Sequence, residues 1–320
     1  MEKAKIGVLV GPTASGKTAL SVEIAARMDA EIISADSIQL YKGFDIGSAK
    51  PTLQERRGIK HHLIDVYEPV EQNASVARFQ ALARQAIEDI TSRGKFPLVV
   101  GGTGLYVNAL TYPLSFTGAA SDPELRANLA ETEAQSPGSL YKLLKELDPK
   151  SAARLHPNDL KRIIRAVEVV KLTGKAMDEF GGDFENKKNE EIPYDVKLIA
   201  LTMPRELLYA RIEKRVDEMI QIGLIDEVKR LRALGVTADM PAMQGLGYKQ
   251  LYVFVDGACK LDEAIAAIKL ETRHFAKRQL TWFKRDKRIV WLDVTQYESR
   301  EALTEAAVCA LEGGDHEQTH

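Results

Sequence analysis

Cysteine is scarce in this sequence: Cys259 and Cys309 are the only two among 320 residues. They are too few and too isolated for a disulfide framework or a zinc site. The sequence also lacks an apolar run long enough to cross a bilayer. The few residues before the first predicted strand leave no room for a signal peptide. These absences predict a cytoplasmic protein with no membrane partner.

Excess charge is also missing, since the formal net charge is −2. This argues against a protein that coats nucleic acid along its whole length. One segment differs: residues 269–288 contain eight lysines and arginines but only two acids, Glu271 and Asp286. A local basic patch on a nearly neutral chain predicts that a polyanion docks on one face.

Short β-rich runs alternate with amphipathic helical segments, which is typical of an α/β fold. A helix is predicted over residues 75–93, with Ser75 as its N-cap and Gly94 ending it. The predicted strands cover residues 6–10, 31–34, 62–66, 98–100, 196–201 and 288–292.

The middle of the chain has a different pattern. Residues 122–180 show only helical periodicity, and residues 181–193 are polar and glycine-rich, as in a loop. We therefore predict a helical insertion domain at residues 119–193. The α/β core is then formed by residues 1–118 and 194–320.

Residues 11–18 read GPTASGKT, which matches the phosphate-loop pattern G-x-x-x-x-G-K-[ST] between a strand and a helix. The glycines let backbone N–H groups turn toward phosphate oxygens, Lys17 adds a positive charge, and Thr18 can bind Mg²⁺. The fold class predicted is an α/β, P-loop NTPase-like parallel sheet with a helical insertion. The predicted phosphate-binding residues are Gly11, Pro12, Thr13, Ala14, Ser15, Gly16, Lys17 and Thr18.

The loop by itself does not identify its ligand. Most such loops bind a nucleoside triphosphate, and a strand ending in an acid then helps to hold Mg²⁺. Here the strand at residues 98–100 runs into GGTGLY without an acid. Asp65 is a possible substitute, or it simply turns the chain. ATP and another pyrophosphate compound both remain open as ligands.

Three further side chains have the chemistry of a transfer site. Asp36 follows the second predicted strand, so it is a candidate general base, a helix cap or a partner of bound Mg²⁺. Thr103 in GGTG can donate a hydrogen bond to a leaving-group oxygen. Arg211 and Arg215 share a helix face and either bind a diphosphate or form a solvated surface.

Taken together, the motifs resemble those of the tRNA dimethylallyltransferases (tRNA isopentenyltransferases). The resemblance covers residues 11 to about 292, and a zinc finger of the eukaryotic members cannot form from two cysteines, so the bacterial type is implied. Ser48 stands where the family often has Thr, and Leu246 where Ile is common. The motifs are GPTASGKT, ADSIQLYKGFDIGSAKP (35–51), GGTGLY (101–106), HPNDLKRIIRA (156–166), GLGYK (245–249) and KRQLTWFKR (277–285).

The resemblance implies an enzyme that moves a dimethylallyl group from dimethylallyl diphosphate to N6 of the adenosine immediately 3′ of the anticodon. Lys17 and Thr18 would bind the diphosphate and Mg²⁺. Asp36 would accept the N6 proton, Thr103 would support the bridging oxygen, and Arg215 would bind the leaving diphosphate. Arg211 is a weaker candidate for that last role.

The resemblance also implies an RNA surface for the anticodon stem-loop, and we expect a monomer. Trp282 fits an apolar helical stripe and is predicted to pack in the core rather than to stack on a base. The implied tRNA contacts are Asp36, Ser37, Ile38, Gln39, Thr103, Arg126, Lys161, Arg162, Arg165, Gln244, Gly247, Tyr248, Lys249, Lys277, Arg278 and Lys284.

Other functions compete with this one. A metabolite or nucleotide kinase would bind ATP on the loop, use Asp36 as base and use the insertion as a lid. A close variant of the transferase would prenylate free AMP, ADP or ATP. A non-catalytic RNA-binding protein with a relict loop would not need Asp36 at all.

Overall fold

The computed structural model describes residues 3–72, 74–114, 122–176 and 192–314. The chain divides into two compact units, Met1–Thr111 with Pro193–His320, and Tyr112–Ile192. The predicted insertion at residues 119–193 falls in the second unit except for Pro193. Within the described part of the chain, no helix is long and apolar enough to cross a membrane.

The first unit is an α/β domain. Its strands are β1 (Ala4–Val10), β2 (Ala30–Ala35), β3 (His61–His62), β4 (Phe96–Gly101), β5 (Tyr194–Thr202) and β6 (Val290–Asp293). Its helices are α1 (Lys17–Arg27), α2 (Leu53–Arg56), α3 (Val76–Ser92), α4 (Gly104–Thr111), α9 (Arg205–Gln221), α10 (Leu224–Ala233), α11 (Tyr248–Val255), α12 (Leu261–Phe283) and α13 (Arg300–Glu312), with a short 3-10 helix at Ala242–Gln244.

The strands form one parallel sheet in the order β3-β2-β4-β1-β5-β6. All six predicted strands exist, which confirms the α/β prediction. The third is shorter than predicted because Leu63 and Asp65 adopt positive φ angles of 60° and 58°, which end the extended conformation after His62.

Both faces of the sheet are covered. Successive residues of a strand point to opposite faces, so Val8 and Val10 of β1 join one hydrophobic cluster. Leu9 joins a second cluster on the other face, with Leu20 of α1 and Leu311 of α13. This double burial explains why β1 reads as a continuous apolar run.

The secondary structure described in the second unit consists of four α-helices. Its helices are α5 (Pro123–Gln135), α6 (Ser139–Leu147), α7 (Pro149–Arg154) and α8 (Leu160–Thr173). Asp122 and Asp148 accept hydrogen bonds from the first turns of α5 and α7, each followed by proline at the first helical position. Leu129, Leu144 and Ile163 belong to a separate core. Residues 177–191, which include most of the predicted polar loop at residues 181–193, lie outside the described residues.

Candidate active site

Three loops meet at the carboxyl edge of the sheet because their strands are neighbours. β4 lies between β2 and β1, with Ala35 paired to Gly101 and Leu9 paired to Val100. The loop after β1 is the phosphate loop, the loop after β2 begins with Asp36, and the loop after β4 contains Thr103. The edge predicted from the sequence therefore brings the phosphate loop, Asp36 and Thr103 together.

The phosphate loop has the backbone of an anion site. Gly11, Ala14 and Gly16 have φ angles of 142°, 62° and 94°. A side chain at Gly11 would also place its Cβ 2.8 Å from the carbonyl oxygen of Leu201. Helix α1 begins at Lys17. The positive end of its dipole therefore faces the centre of the loop.

The side chain of Lys17 folds back onto the phosphate loop. Its Nζ donates hydrogen bonds to the carbonyl oxygens of Gly11 at 2.9 Å and Pro12 at 2.7 Å. Burial lowers the pKa of Lys17 to about 7, with Arg215 acting in the same direction and Asp36 against it. The negative charge of a bound phosphate would favour the protonated form of Lys17.

The carboxylate of Asp36 has one occupied and one open oxygen. Its Oδ1 accepts hydrogen bonds from the N–H groups of Ile38 at 2.9 Å and Gln39 at 3.2 Å. Burial raises the pKa of Asp36, and these two N–H groups oppose the change. Within the described residues, Oδ2 has no hydrogen-bond partner. Asp36 therefore caps its own turn and can still accept a proton on Oδ2.

Thr103 is joined to the Asp36 loop. Its Oγ1 accepts a hydrogen bond from the N–H of Ser37 at 3.3 Å, and its own N–H donates to the carbonyl oxygen of Ala35 at 3.3 Å. This approach requires glycine at position 101, where a Cβ would lie 2.2 Å from the same Ala35 oxygen. Because Oγ1 acts as an acceptor here, the hydroxyl of Thr103 can still donate a hydrogen bond to a ligand.

The structure distinguishes the two arginines of α9. Arg215 is partly buried and close enough to Lys17 and Asp36 to affect the pKa of each. Burial lowers the pKa of Arg215, and Asp36 opposes this. No hydrogen bond or ion pair to any described residue holds its guanidinium. Arg211 is exposed one turn earlier. Arg215 therefore lies with the predicted catalytic groups, and Arg211 lies on the solvated surface.

Sequence reasoning missed the residue that joins two of the loops. The side chain of Gln279 accepts a hydrogen bond from the N–H of Thr13 and donates one to the carbonyl oxygen of Gly102. The sequence contained a signal for it, since Ala276, Gln279 and Phe283 all share the buried face of α12. Because glutamine is polar, the sequence pattern did not indicate that this position is buried.

A buried pair, Glu227 and Tyr248, holds the loop that follows Asp36. Glu227 accepts hydrogen bonds from the N–H groups of Ile46 and Gly47, and from the hydroxyl of Tyr248 at 2.6 Å. That hydroxyl also accepts the N–H of Ser48. In the sequence, Glu227 resembles any other acid in the first turn of a helix, so this role could not be predicted.

Three of the implied tRNA contacts, Gln39, Gly247 and Tyr248, face the interior of the protein. The side chain of Tyr248 is 0% exposed and Gly247 is buried, so in this structure neither presents a surface to a ligand. The side chain of Gln39 accepts a hydrogen bond from Ser34 and donates to the carbonyl oxygens of Ser48 and Ala49. The hydrogen bonds of Gln39 and Tyr248 to Ser48 hold the loop after Asp36 from inside the protein. Gln244 and Lys249 are exposed.

Helix α12 separates a buried from a cationic face. Lys277, Arg278 and Lys284 are exposed, as a polyanion surface requires. Trp282 is partly buried and packs against the hydrophobic core. A Cβ on Gly104 would lie 2.3 Å from its ring, so the indole covers this glycine. This contact supports the prediction of core packing for Trp282.

In the helical unit, a buried carboxylate holds two of the predicted RNA-binding arginines. Glu168 is 0% exposed and pairs with Arg126 at 2.8 Å and Arg165 at 2.5 Å, and it accepts the N–H of Asp122. Burial by itself would raise the pKa of Glu168, but these partners outweigh it and lower the pKa. Lys161 and Arg162 are exposed on the same helix, α8.

We expect Glu168→Ala to destabilise the helical unit by about 2–3 kcal/mol, somewhat less than for a fully buried pair because both arginines reach solvent. Amide hydrogen exchange of the full chain measures this as lost protection in α5 and α8. Glu131→Ala, an exposed acid on α5, is the matched control. Unchanged protection in Glu168→Ala would contradict the assigned role.

This stabilisation should depend on pH. Because the folded-state pKa of Glu168 lies below its usual value of 4.5, the contribution is complete above that pH and is lost as the pH falls below it. The difference between wild type and Glu168→Ala should therefore shrink in acid.

Two places have oxygen or nitrogen atoms suited to a cation. The hydroxyl of Thr18 makes no hydrogen bond to any described residue, and Mg²⁺ in phosphate sites uses few protein oxygens. Glu31, His62 and Asp89 also lie close together, but Arg93 pairs with both acids. Because that cation already neutralises the acids, they form an ion-pair network. Of these two places among the described residues, Thr18 is the one where no cation already pairs with the oxygen, and Mg²⁺ there stays a prediction.

Comparisons with known proteins agree on one family. Residues 39–286 match the family model described as IPP transferase. A tRNA dimethylallyltransferase of Anoxybacillus flavithermus is 48% identical over 316 residues, covering 99% of both chains. One of Pelotomaculum thermopropionicum is 44% identical, covering 98% of each.

Solved structures agree as well. The full-length tRNA isopentenylpyrophosphate transferase of Bacillus halodurans matches with a TM-score of 0.72 and 42% identity, covering 97% of this chain and 98% of the other. A eukaryotic dimethylallyltransferase acting on tRNA matches with a TM-score of 0.82 and 29% identity, covering 99% of this chain and 81% of the other.

Proposed function

This chain belongs to the IPP transferase family, and on that premise we propose that it is a tRNA dimethylallyltransferase. It transfers the dimethylallyl group of dimethylallyl diphosphate to N6 of the adenosine immediately 3′ of the anticodon and releases diphosphate. The observation that carries the proposal is the convergence, at one sheet edge, of a phosphate loop with Asp36 and Arg215, whose Oδ2 and guanidinium have no hydrogen-bond partner among the described residues.

The diphosphate of the donor occupies the phosphate loop. Backbone N–H groups of residues 16–18 at the N-terminus of α1, together with the Lys17 ammonium group, bind its oxygens. When the diphosphate binds, the Lys17 ammonium group donates to phosphate oxygens instead of to the two carbonyl oxygens. The negative charge of the diphosphate then offsets burial, which disfavours the protonated form of Lys17. Thr18 would hold Mg²⁺, which neutralises part of the diphosphate charge when bound.

The reaction breaks one C–O bond and forms one N–C bond. As the allylic carbon separates from the bridging oxygen, the Thr103 hydroxyl donates to that oxygen and Arg215 stabilises the charge on the departing diphosphate. N6 of adenine attacks the same carbon, and its proton passes to Oδ2 of Asp36. Because burial raises the pKa of Asp36, this carboxylate is a better base than an exposed aspartate.

The RNA must deliver a base that is normally stacked in the anticodon loop. Extrusion of that base brings N6 to the sheet edge. Phosphates of the stem and loop bind the exposed cations of α12 and α8. Lys277, Arg278 and Lys284 belong to the first group, and Lys161 and Arg162 to the second.

The test is an incubation of the protein with Mg²⁺, labelled dimethylallyl diphosphate and unmodified tRNA, with free AMP and ATP in parallel. We expect label in tRNA, lost when the adenosine beside the anticodon is replaced. Label in free nucleotide alone would assign a nucleotide prenyltransferase instead. No label in any acceptor would overturn the proposal and lead to a test of ATP-dependent phosphorylation.

We expect Lys277→Ala with Arg278→Ala to weaken tRNA binding and to reduce its salt dependence by about two counterions. Binding isotherms at salt concentrations of about 50–200 mM measure both the tRNA affinity and its salt dependence. The matched control is Lys3→Ala with Lys5→Ala, two exposed lysines at the amino end of β1, opposite the loops. An unchanged salt slope in the α12 variant would place this face away from the RNA.

A further inference from the structure

The buried side-chain amide of Gln279 joins the phosphate loop to the loop that contains Thr103, the two loops that bind the leaving group in the proposed reaction. The Oε1 atom of Gln279 accepts the N–H of Thr13 in the phosphate loop at 2.9 Å. Its Nε2 atom donates to the carbonyl oxygen of Gly102, next to Thr103, at 3.0 Å. The side chain is 6% exposed, so it faces the protein and not the solvent.

The loop after β4 leaves space for this amide and for a second side chain of the same helix. A Cβ on Gly102 would lie 2.2 Å from Nε2 of Gln279, and a Cβ on Gly104 would lie 2.3 Å from the ring of Trp282. A side chain at either neighbour of Thr103 would displace the amide of Gln279 or the indole of Trp282, because α12 packs closely against the backbone on each side of Thr103.

The two hydrogen bonds set the distance between groups that act on the same diphosphate. The phosphate loop holds the phosphate oxygens, while Thr103 donates to the oxygen that bridges to carbon. These loops follow β1 and β4, and Gln279 is the side chain that spans them beyond the sheet. Displacement of one loop by about 1 Å would lower the rate by about 10²-fold without removing any group that binds diphosphate.

We propose that Gln279 is a positioning residue that aligns the phosphate loop with Thr103 for departure of the diphosphate. The inference rests on the proposed function. It differs from a direct RNA contact, because both polar atoms of the amide are used inside the protein. It also differs from simple core packing, because leucine would fill a similar volume but could make neither hydrogen bond.

The first test compares Gln279→Leu with wild type. We expect kcat to fall by about 10–10²-fold, while KM for tRNA and the affinity for inorganic pyrophosphate with Mg²⁺ change by less than about threefold. Calorimetry should still give the wild-type stoichiometry for pyrophosphate, which shows that the loss is not caused by unfolded protein. Gln80→Leu is the matched control, since Gln80 is also a buried glutamine that donates to a backbone carbonyl, that of Ala109.

The second test uses Gln279→Glu. A protonated carboxyl group can accept from Thr13 and donate to Gly102, whereas a carboxylate would place an oxygen against the Gly102 carbonyl oxygen. The ratio of its kcat to that of wild type should therefore rise as the pH is lowered. A purely structural role would not produce this recovery.

Three results would overturn the inference: wild-type kcat in Gln279→Leu, an equal loss in Gln80→Leu, or a kcat ratio for Gln279→Glu that is independent of pH. Failure of the proposed function is a separate result, because wild type would then transfer no label to tRNA. The pyrophosphate affinity of wild type and variants would still be measurable in that case.

Discussion

Asp36→Asn should lower kcat by about 10²–10⁴-fold, the loss expected when a general base is removed. Asparagine keeps the size of the side chain and an oxygen that can accept the N–H groups of Ile38 and Gln39. The turn is therefore preserved and only the proton acceptor is lost. Affinity for tRNA should change by less than about threefold.

Single-turnover transfer and tRNA binding, measured on the same preparations, separate these two effects. Asp148→Asn is the matched control, because Asp148 is a buried aspartate that caps α7 through the N–H of Ser151. Its transfer rate should stay near that of wild type. A parallel loss of rate and tRNA affinity in Asp36→Asn would reassign Asp36 to RNA binding.

The rate should also depend on the protonation of Asp36. Only the ionised carboxylate accepts a proton, so transfer should decline as the pH falls through its pKa. Because burial raises the pKa of Asp36 above the usual value of 3.8, the decline should begin at a higher pH than for an exposed aspartate. This acidic limb should be absent from the residual activity of Asp36→Asn.

Arg215→Gln should lower kcat by about 10²–10³-fold, as expected when a donor to a developing oxyanion is removed. Arg215 is partly buried beside Lys17 and Asp36, and among the described residues it has no competing partner. Glutamine cannot supply the positive charge on the leaving diphosphate. Affinity for inorganic pyrophosphate should fall as well, because pyrophosphate is the product that this arginine binds.

The same helix provides the control for this prediction. Arg211→Gln removes the same charge one turn away, on an exposed part of α9. Its kcat and pyrophosphate affinity should stay within about threefold of wild type, since exposed charges contribute little. Equal losses in the two variants would show that the net charge of α9 matters rather than the position of Arg215.

Much of the architecture could be predicted because it depends on local patterns. The strand, glycine-rich loop and helix around residues 11–18 are contiguous, and so is the helix that Ser75 caps. Parallel strands place their carboxyl ends on one edge, so Asp36 and Thr103 were expected beside the phosphate loop. Periodicity could not predict that β3 stops at His62, because the left-handed backbone at Leu63 and Asp65 depends on the fold around it.

The sequence by itself determined the α/β class, the phosphate loop, the acid and threonine of the site, and the basic segment of α12. Only the tertiary structure decided that β4 lies between β1 and β2, that Arg215 is partly buried near Lys17 and Asp36 while Arg211 is exposed, and that Tyr248 is buried. It also paired Gln279 with Thr13, 266 positions away. Local sequence patterns report spacing along the chain, whereas such contacts arise from the packing of elements that are distant in sequence.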